Sequence, residues 1–246
     1  MPKLVLRNVS KRFGGVLAND RITLHVDDGE VVGLIGPNGS GKTTLFGSIV
    51  GNHALDGGAI YYEERDITGL PVQSTARLGI LRTFQQSRIY REMTVLDNVR
   101  ISLPSHHLTL SRMLVPPPAA IDLRARQILD LVGLQASPDR IAGQLSFGQQ
   151  RLLEIAMVLM NEPRLLLLDE PTAGVNPSAI DALIDCLRRV RDELGTTLVV
   201  IEHNMPVIMG LADRIYCLNR GQVLAEGEPA AIRKDRRVID AYLGAH

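Results

Sequence analysis

Apolar and polar positions follow three patterns along this chain. Ile22-Thr23-Leu24-His25-Val26 alternates with period two, the mark of a strand with one face in a core and one in water. Leu4-Val5-Leu6 reads, more weakly, as an opening strand. Val31-Val32-Gly33-Leu34-Ile35, Leu165 to Leu168, Thr197 to Ile201 and Ile215 to Leu218 are short apolar runs without alternation, as strands buried on both faces require. Ile180, Leu183, Ile184, Leu187, Val190 and Leu194 recur every three or four residues and predict an amphipathic helix. Further helices are expected from Thr44, over Ile121 to Val132, from Ser146 to about Met160, and over Arg237 to Leu243. Strands alternating with helices imply right-handed crossovers and a mostly parallel central sheet, an α/β fold.

The stretch from roughly 86 to 145 differs. It has no strand-like run and contains Pro116-Pro117-Pro118, which reads as a stiff loop within a small helical lobe inserted between sheet elements. The longest apolar run, Ile155 to Met160, is far short of the ~20 residues that a bilayer span needs. Met1-Pro2-Lys3-Leu4-Val5 does not begin a charged leader with a long apolar stretch, so a cleaved export signal is not expected. Any membrane function is then expected to come through a partner.

Composition narrows the classes. With 246 residues, the chain can bury a substantial core without staples. Its 27 Lys and Arg cancel its 27 Asp and Glu, which argues against a nucleic-acid coat or a polybasic membrane anchor. Two cysteines, Cys186 and Cys217, make no disulfide framework and suit a reducing compartment as free thiols. His106-His107 lacks further ligands nearby and reads as solvated loop; Arg233, Lys234, Arg236 and Arg237 read as an exposed helix face.

Gly36-Pro37-Asn38-Gly39-Ser40-Gly41-Lys42-Thr43 fits G-x-x-x-x-G-K-[ST], between a buried strand and an expected helix that includes Thr44. Glycines let the backbone turn its N–H groups onto phosphates, and the helix N-terminus adds partial positive charge. Lys42 is expected to reach the β- and γ-phosphates and the Thr43 hydroxyl to hold Mg²⁺. Lys42 is one of only four lysines in a chain that otherwise uses arginine. The run Leu165 to Leu168 leads directly into Asp169-Glu170, at the strand end where open α/β sheets bind ligands. Asp169 is expected to hold Mg²⁺ through water, and Glu170 to polarise an attacking water. A solvated acidic turn before Pro171 is the alternative. Ser146-Phe147-Gly148-Gln149 opens a helix as a capping box, which by itself explains Ser146 and Gln149 structurally.

Together, the phosphate loop, Leu145 to Gln150, Asp169-Glu170 and His203 resemble, in order and spacing, the ATP-binding cassette (ABC) ATPases over essentially the whole chain. The resemblance implies a single cassette: a nucleotide-binding core over about 1–85 and 160–227, with an antiparallel β subdomain, a helical subdomain at about 86–159 and a helical tail at 228–246. It implies ATP and Mg²⁺ as ligands, and a head-to-tail pair of chains in which Ser146, Gly148 and Gln149 complete the partner's ATP site. It also makes Phe13 the aromatic that stacks on adenine, where a plain surface aromatic beside Gly14-Gly15 is the alternative. Gln85 would touch Mg²⁺ and the attacking water, and His203 the γ-phosphate.

Two departures stand out: Phe147 replaces a glycine of the general pattern, and Ala173-Gly174-Val175-Asn176 replaces the common Ser-Ala-Leu-Asp. Asp66 to Pro71, Arg82 to Gln85, Arg91 to Val95 and Ala241 to Gly244 are similar to ATPase subunits of branched-chain (hydrophobic) amino acid importers. That branch implies two permease subunits, indirectly a solute-binding protein, no nucleic acid, and a place on the cytoplasmic face of the membrane. A urea importer, a lipopolysaccharide exporter and a phosphate-loop enzyme outside transport are the alternatives. A kinase has no use for Leu145 to Gln149 or His203, and a GTPase would need an Asn-Lys-x-Asp motif that the chain lacks.

Overall fold

The computed structural model describes residues 2–83, 89–103 and 119–243. They form two compact units. Met1–Arg82, Arg164–Pro171 and Gly195–His246 belong to the first, Thr83–Pro163 and Thr172–Leu194 to the second.

The first unit opens with β1 (Pro2–Phe13) and β2 (Val16–Asp27), paired antiparallel along their full lengths. Leu4, Leu6, Ile22, Leu24 and Val26 point into the core while Arg7, Arg21 and Thr23 face water. Both strands extend well past their apolar positions, because ladder hydrogen bonds continue where side chains no longer need burial. Next come β3 (Val31–Ile35), α1 (Lys42–Ile49), β4 (Gly57–Tyr62), β5 (Arg65–Asp66), α2 (Val72–Arg77) and β6 (Ile80–Arg82). The second unit supplies α3 (Val95–Ile101), α4 (Ala119–Leu131) and α5 (Phe147–Leu159). β7 (Leu165–Asp169) returns to the first unit and α6 (Pro177–Leu194) to the second. The first unit ends with β8 (Thr197–Ile201), α7 (Met205–Leu211), β9 (Arg214–Asn219), β10 (Gln222–Gly227), α8 (Pro229–Ile232) and α9 (Arg236–Leu243).

Two sheets stand in the first unit: a four-stranded antiparallel one in the order β2-β1-β4-β5, and a six-stranded one in the order β10-β9-β3-β8-β7-β6. In the larger sheet every pairing from β9 to β6 is parallel, and only the edge strand β10 runs antiparallel. The expected mostly parallel sheet and antiparallel subdomain are both present. β3, β7 and β8 are buried at every position, as unbroken apolar runs in a parallel sheet should be. Leu6, Ile22 and Val26 of the small sheet share one core with Leu45 and Phe46 of α1 and with Leu34, Leu167 and Val199 of the large sheet. Helix α1 starts at Lys42 rather than Thr44, because Gly41 serves as its N-cap.

In the second unit, α3, α4, α5 and α6 pack on one another around Val99, Leu129, Leu153, Leu183 and Leu187. Asn98, fully buried, joins the segment before α3 to its first turn: its Nδ2 donates to the Tyr90 and Thr94 carbonyls, and its Oδ1 accepts from the Tyr90 N–H. The apolar stripe of α6, Leu183, Leu187 and Val190, groups it with these helices. Cys186 and Cys217 are buried free thiols.

Candidate functional site

The phosphate loop leaves the middle of the large sheet. β3 lies between β9 and β8, and residues 36–41 turn from its C-terminal end into α1. The N-cap Gly41 offers no side-chain acceptor and no acid stands in the first turn, so the helix end keeps N–H donors and its positive pole for an anion. The loop is held from two sides: buried Asn19 donates its Nδ2 to the Gly41 carbonyl at 3.0 Å, and the Gly221 N–H donates to the Ser40 carbonyl at 3.1 Å. Neither partner was evident from sequence.

Lys42 is buried, and its ammonium donates to the carbonyls of Gly36 at 2.7 Å and Pro37 at 3.0 Å. Burial pushes this ammonium below its ordinary range, while the charges of Glu170 and then Asp169 act in the opposite sense. Those two carboxylates are thus close enough to be felt at Lys42, which ties the loop to the end of β7. Thr43, exposed, and Thr44 follow in the first turn of α1.

β7 and β8 carry the acids and the histidine to one place. Their parallel ladder runs to Asp169↔Ile201, and one residue on, the Glu170 N–H donates to the Ile201 carbonyl at 2.9 Å. Glu170 takes a left-handed backbone conformation, φ 49, which diverts its side chain from the strand's alternation. Its Oε1 stands 3.0 Å from His203 Nε2. His203 is itself fixed by the buried carboxylate of Glu202, which accepts from the N–H groups of His203 and Asn204, both at 3.0 Å. Sequence reading missed Glu202; an acid directly before a histidine at a strand end was the available signal. It also missed Arg82 on β6, whose guanidinium pairs with the buried Asp169 carboxylate.

Mg²⁺ can be tested against these donors. Among the described residues no group of three or more His, Cys, Asp or Glu could cage a metal. A hydroxyl at Thr43 and a carboxylate at Asp169 are hard oxygen donors, too few to hold an ion alone. They suit Mg²⁺ that keeps waters and shares phosphate oxygens.

Phe13, at the end of β1, is 45% exposed, and its ring meets the His53 ring edge-on at 5.2 Å between centroids. Lys11 Nζ lies 5.2 Å from the centre of the Phe13 ring. The aromatic is thus propped yet open enough to stack on a base. Gln85, its neighbour Gln86, His106-His107 and Pro116 to Pro118 lie outside the described residues.

Ser146, Gly148 and Gln149 belong to the second unit, at the head of α5. The capping box is closed: Ser146 Oγ accepts from the Gln149 N–H at 3.3 Å, and Gln149 Oε1 accepts from the Ser146 N–H at 3.1 Å. A hydroxyl that accepts one bond still has its own proton to donate. Gly148 allows close packing, since a Cβ there would stand 2.9 Å from Ala179 Cβ. The two departures from the family pattern touch each other: a Cβ on Gly174 would meet the Phe147 ring at 3.1 Å. Asn176 caps α6, its Oδ1 accepting from the Ser178 N–H at 3.1 Å and from the Ser178 hydroxyl at 3.0 Å.

Comparison with known proteins identifies the family. The family model "ABC transporter" matches residues 19–173, and one described as "Branched-chain amino acid ATP-binding cassette transporter" matches residues 222–246. The chain is 42% identical to the high-affinity branched-chain amino acid transport ATP-binding protein LivG of Salmonella typhimurium, over 99% of this chain and 98% of that one. It is 40% identical to the corresponding protein BraF of Pseudomonas aeruginosa, with the same coverage. A crystal structure of the ADP conformation of an ATP-binding cassette of an ABC transporter superposes with a TM-score of 0.90 at 35% identity, covering 99% of each chain. Matched by that family over more than half its length and by these relatives almost end to end, the chain belongs to the ATP-binding cassettes of ABC transporters, a family of ATPases.

Proposed function

We propose that this chain is the ATP-hydrolysing subunit of an importer of branched-chain or other hydrophobic amino acids. The observation that carries the catalytic part is the contact of Glu170 with His203 at the ends of β7 and β8, near the Lys42 ammonium. The solute class rests on the relatives, whose names describe branched-chain amino acid transport.

In this reading Lys42 leaves the Gly36 and Pro37 carbonyls for the β- and γ-phosphates, and the N–H groups at the head of α1 take the remaining oxygens. Thr43 and Asp169 would hold Mg²⁺, which when bound would supply positive charge to the phosphates. Glu170 accepts the proton of the attacking water, and His203, steadied by Glu202, contacts the γ-phosphate and keeps Glu170 oriented. Phe13 stacks on adenine. Gln85, outside the described residues, would contact the ion and the attacking water and couple the site towards a permease, as the family resemblance implies.

A second cassette completes the site. Ser146, Gly148 and Gln149 of one copy or of a homologous chain face the γ-phosphate held by the other, so ATP closes the pair and hydrolysis releases it. A solved structure of a bacterial ABC transporter cassette, 27% identical with a TM-score of 0.77, is dimeric, which supports pairing of cassettes. Among the described residues no helix is long and apolar enough to cross a membrane. In this reading the pair works from the cytoplasmic face, docked on two permease subunits fed by a solute-binding protein. Reconstitution of the chain with its co-purifying membrane subunits in vesicles tests the reading. ATP-dependent leucine uptake is the expected result; uptake of urea alone, or lipid-linked sugar export, would overturn the solute assignment.

A further inference from the structure

The end of the chain returns to the beginning of the phosphate loop. In α9, Val238 is buried and Tyr242, four residues on and on the same helical face, is half-buried. The Tyr242 hydroxyl accepts a hydrogen bond from the Gly36 N–H at 2.7 Å, across 206 residues of sequence. That N–H needs an outside partner. The β3–β9 ladder stops one residue earlier, at Ile35↔Cys217, and Gly36 at φ 143 has left the strand. No other residue fits there: a Cβ would stand 2.1 Å from the Leu218 carbonyl oxygen.

On the other side of the same residue, the Gly36 carbonyl accepts from Lys42 Nζ. Gly36 is thus pinned at its N–H by the C-terminal helix and at its carbonyl by the ammonium destined for phosphate. Elsewhere the helix and the loop stand apart: a cavity of about 520 Å³ separates Asn38 and Gly39 from Arg237 and Asp240, with Asn219 and Arg220 as its third wall. Burial pushes the Tyr242 phenol up to about 12, so the group stays neutral through the working pH range.

We infer that Tyr242 is a positioning residue for the phosphate loop, holding Gly36 so that the loop keeps its phosphate-accepting shape when Lys42 lets go, and that nucleotide affinity therefore depends on the docking of α9. The inference rests on the nucleotide-binding role of Gly36 to Thr43.

Tyr242→Phe tests it, because the ring stays to pack while the hydroxyl goes. The full-length variant should melt close to the parent temperature. Its KM and Kd for MgATP should rise about three- to tenfold, as loss of one well-formed hydrogen bond predicts, with kcat changing less than KM. The Gly36 amide, read by hydrogen exchange on nucleotide-free protein, should exchange about fivefold faster or more, with β3 unaffected. Parental KM and Kd, or a parental exchange rate at Gly36, would overturn the inference. Should the parent chain itself fail to bind adenine nucleotides, the reading of the loop is what fails; the exchange experiment needs no nucleotide and still decides the Tyr242 contact.

Discussion

The heads of α1 and α5 make an instructive pair. Both open with residues suited to binding an anion, yet they begin in opposite states. At α5 the motif is locally satisfied: Ser146 and Gln149 cap each other within one turn, so the structure explains both residues without any ligand. At α1 the cap is a glycine with no side chain to offer, the first turn holds no acid, and a buried lysine bonds to loop carbonyls. A helix end whose donors are capped can wait in water at little cost; one left bare beside a buried ammonium is stabilised by a phosphate. Under the proposed function, this difference separates a site that binds by itself from one that needs nucleotide delivered on a partner.

Four substitutions sharpen or break that contrast, in falling order of effect. Glu170→Gln keeps the shape at the end of β7 and removes the proposed base; steady-state turnover should drop by about 10²–10⁴ while ATP binding persists and dimers accumulate. Unchanged turnover would remove Glu170 from the base's role. In the second unit, Gly174→Ala forces a Cβ onto a residue at φ 74 and against the Phe147 ring, so urea denaturation should show about 2 kcal/mol lost. Stability equal to the parent would mean that the ring moves freely. Gly148→Ala crowds Ala179 by an overpacking cost of 1–3 kcal/mol, roughly, offset by about 1 kcal/mol of helix propensity. A net loss of about 1 kcal/mol is expected, and a gain would show that α5 and α6 can separate there. Ser146→Ala opens the capping box for about 1 kcal/mol or less; circular dichroism of the melt should register it, while ATP affinity of the isolated chain should not change. Weakened ATP binding at high dilution would contradict the idea that Ser146 serves a partner's nucleotide.

Legibility in the sequence tracked the range of the interaction. The phosphate loop, the capping box and the acid pair each occupy a few consecutive residues, and their places at a strand end or helix head could be read because backbone and side chains cooperate within one turn. The buried strands announced themselves by unbroken apolar runs, whereas β4, β6 and β10 did not: they are short or carry polar residues, and form because a neighbouring strand offers its edge. Phe147 and Gly174 looked like two separate departures from a pattern, and only the packing of α5 near the start of α6 makes them one contact.

Read alone, then, the chain's order of residues determined which chemical groups are present and which strand end or helix head each one occupies, since local sterics and capping act over three or four residues. Tertiary structure decided which of them meet. Glu170 faces His203 and Arg82 finds Asp169 because β6, β7 and β8 run parallel in one sheet; Asn19 finds Gly41 because the two sheets share a core, and Tyr242 finds Gly36 because the tail folds back. Such contacts join residues tens to hundreds of positions apart, and a hydrogen bond or ion pair of that range leaves no periodicity behind. It is fixed by burial and register, which belong to the folded chain as a whole.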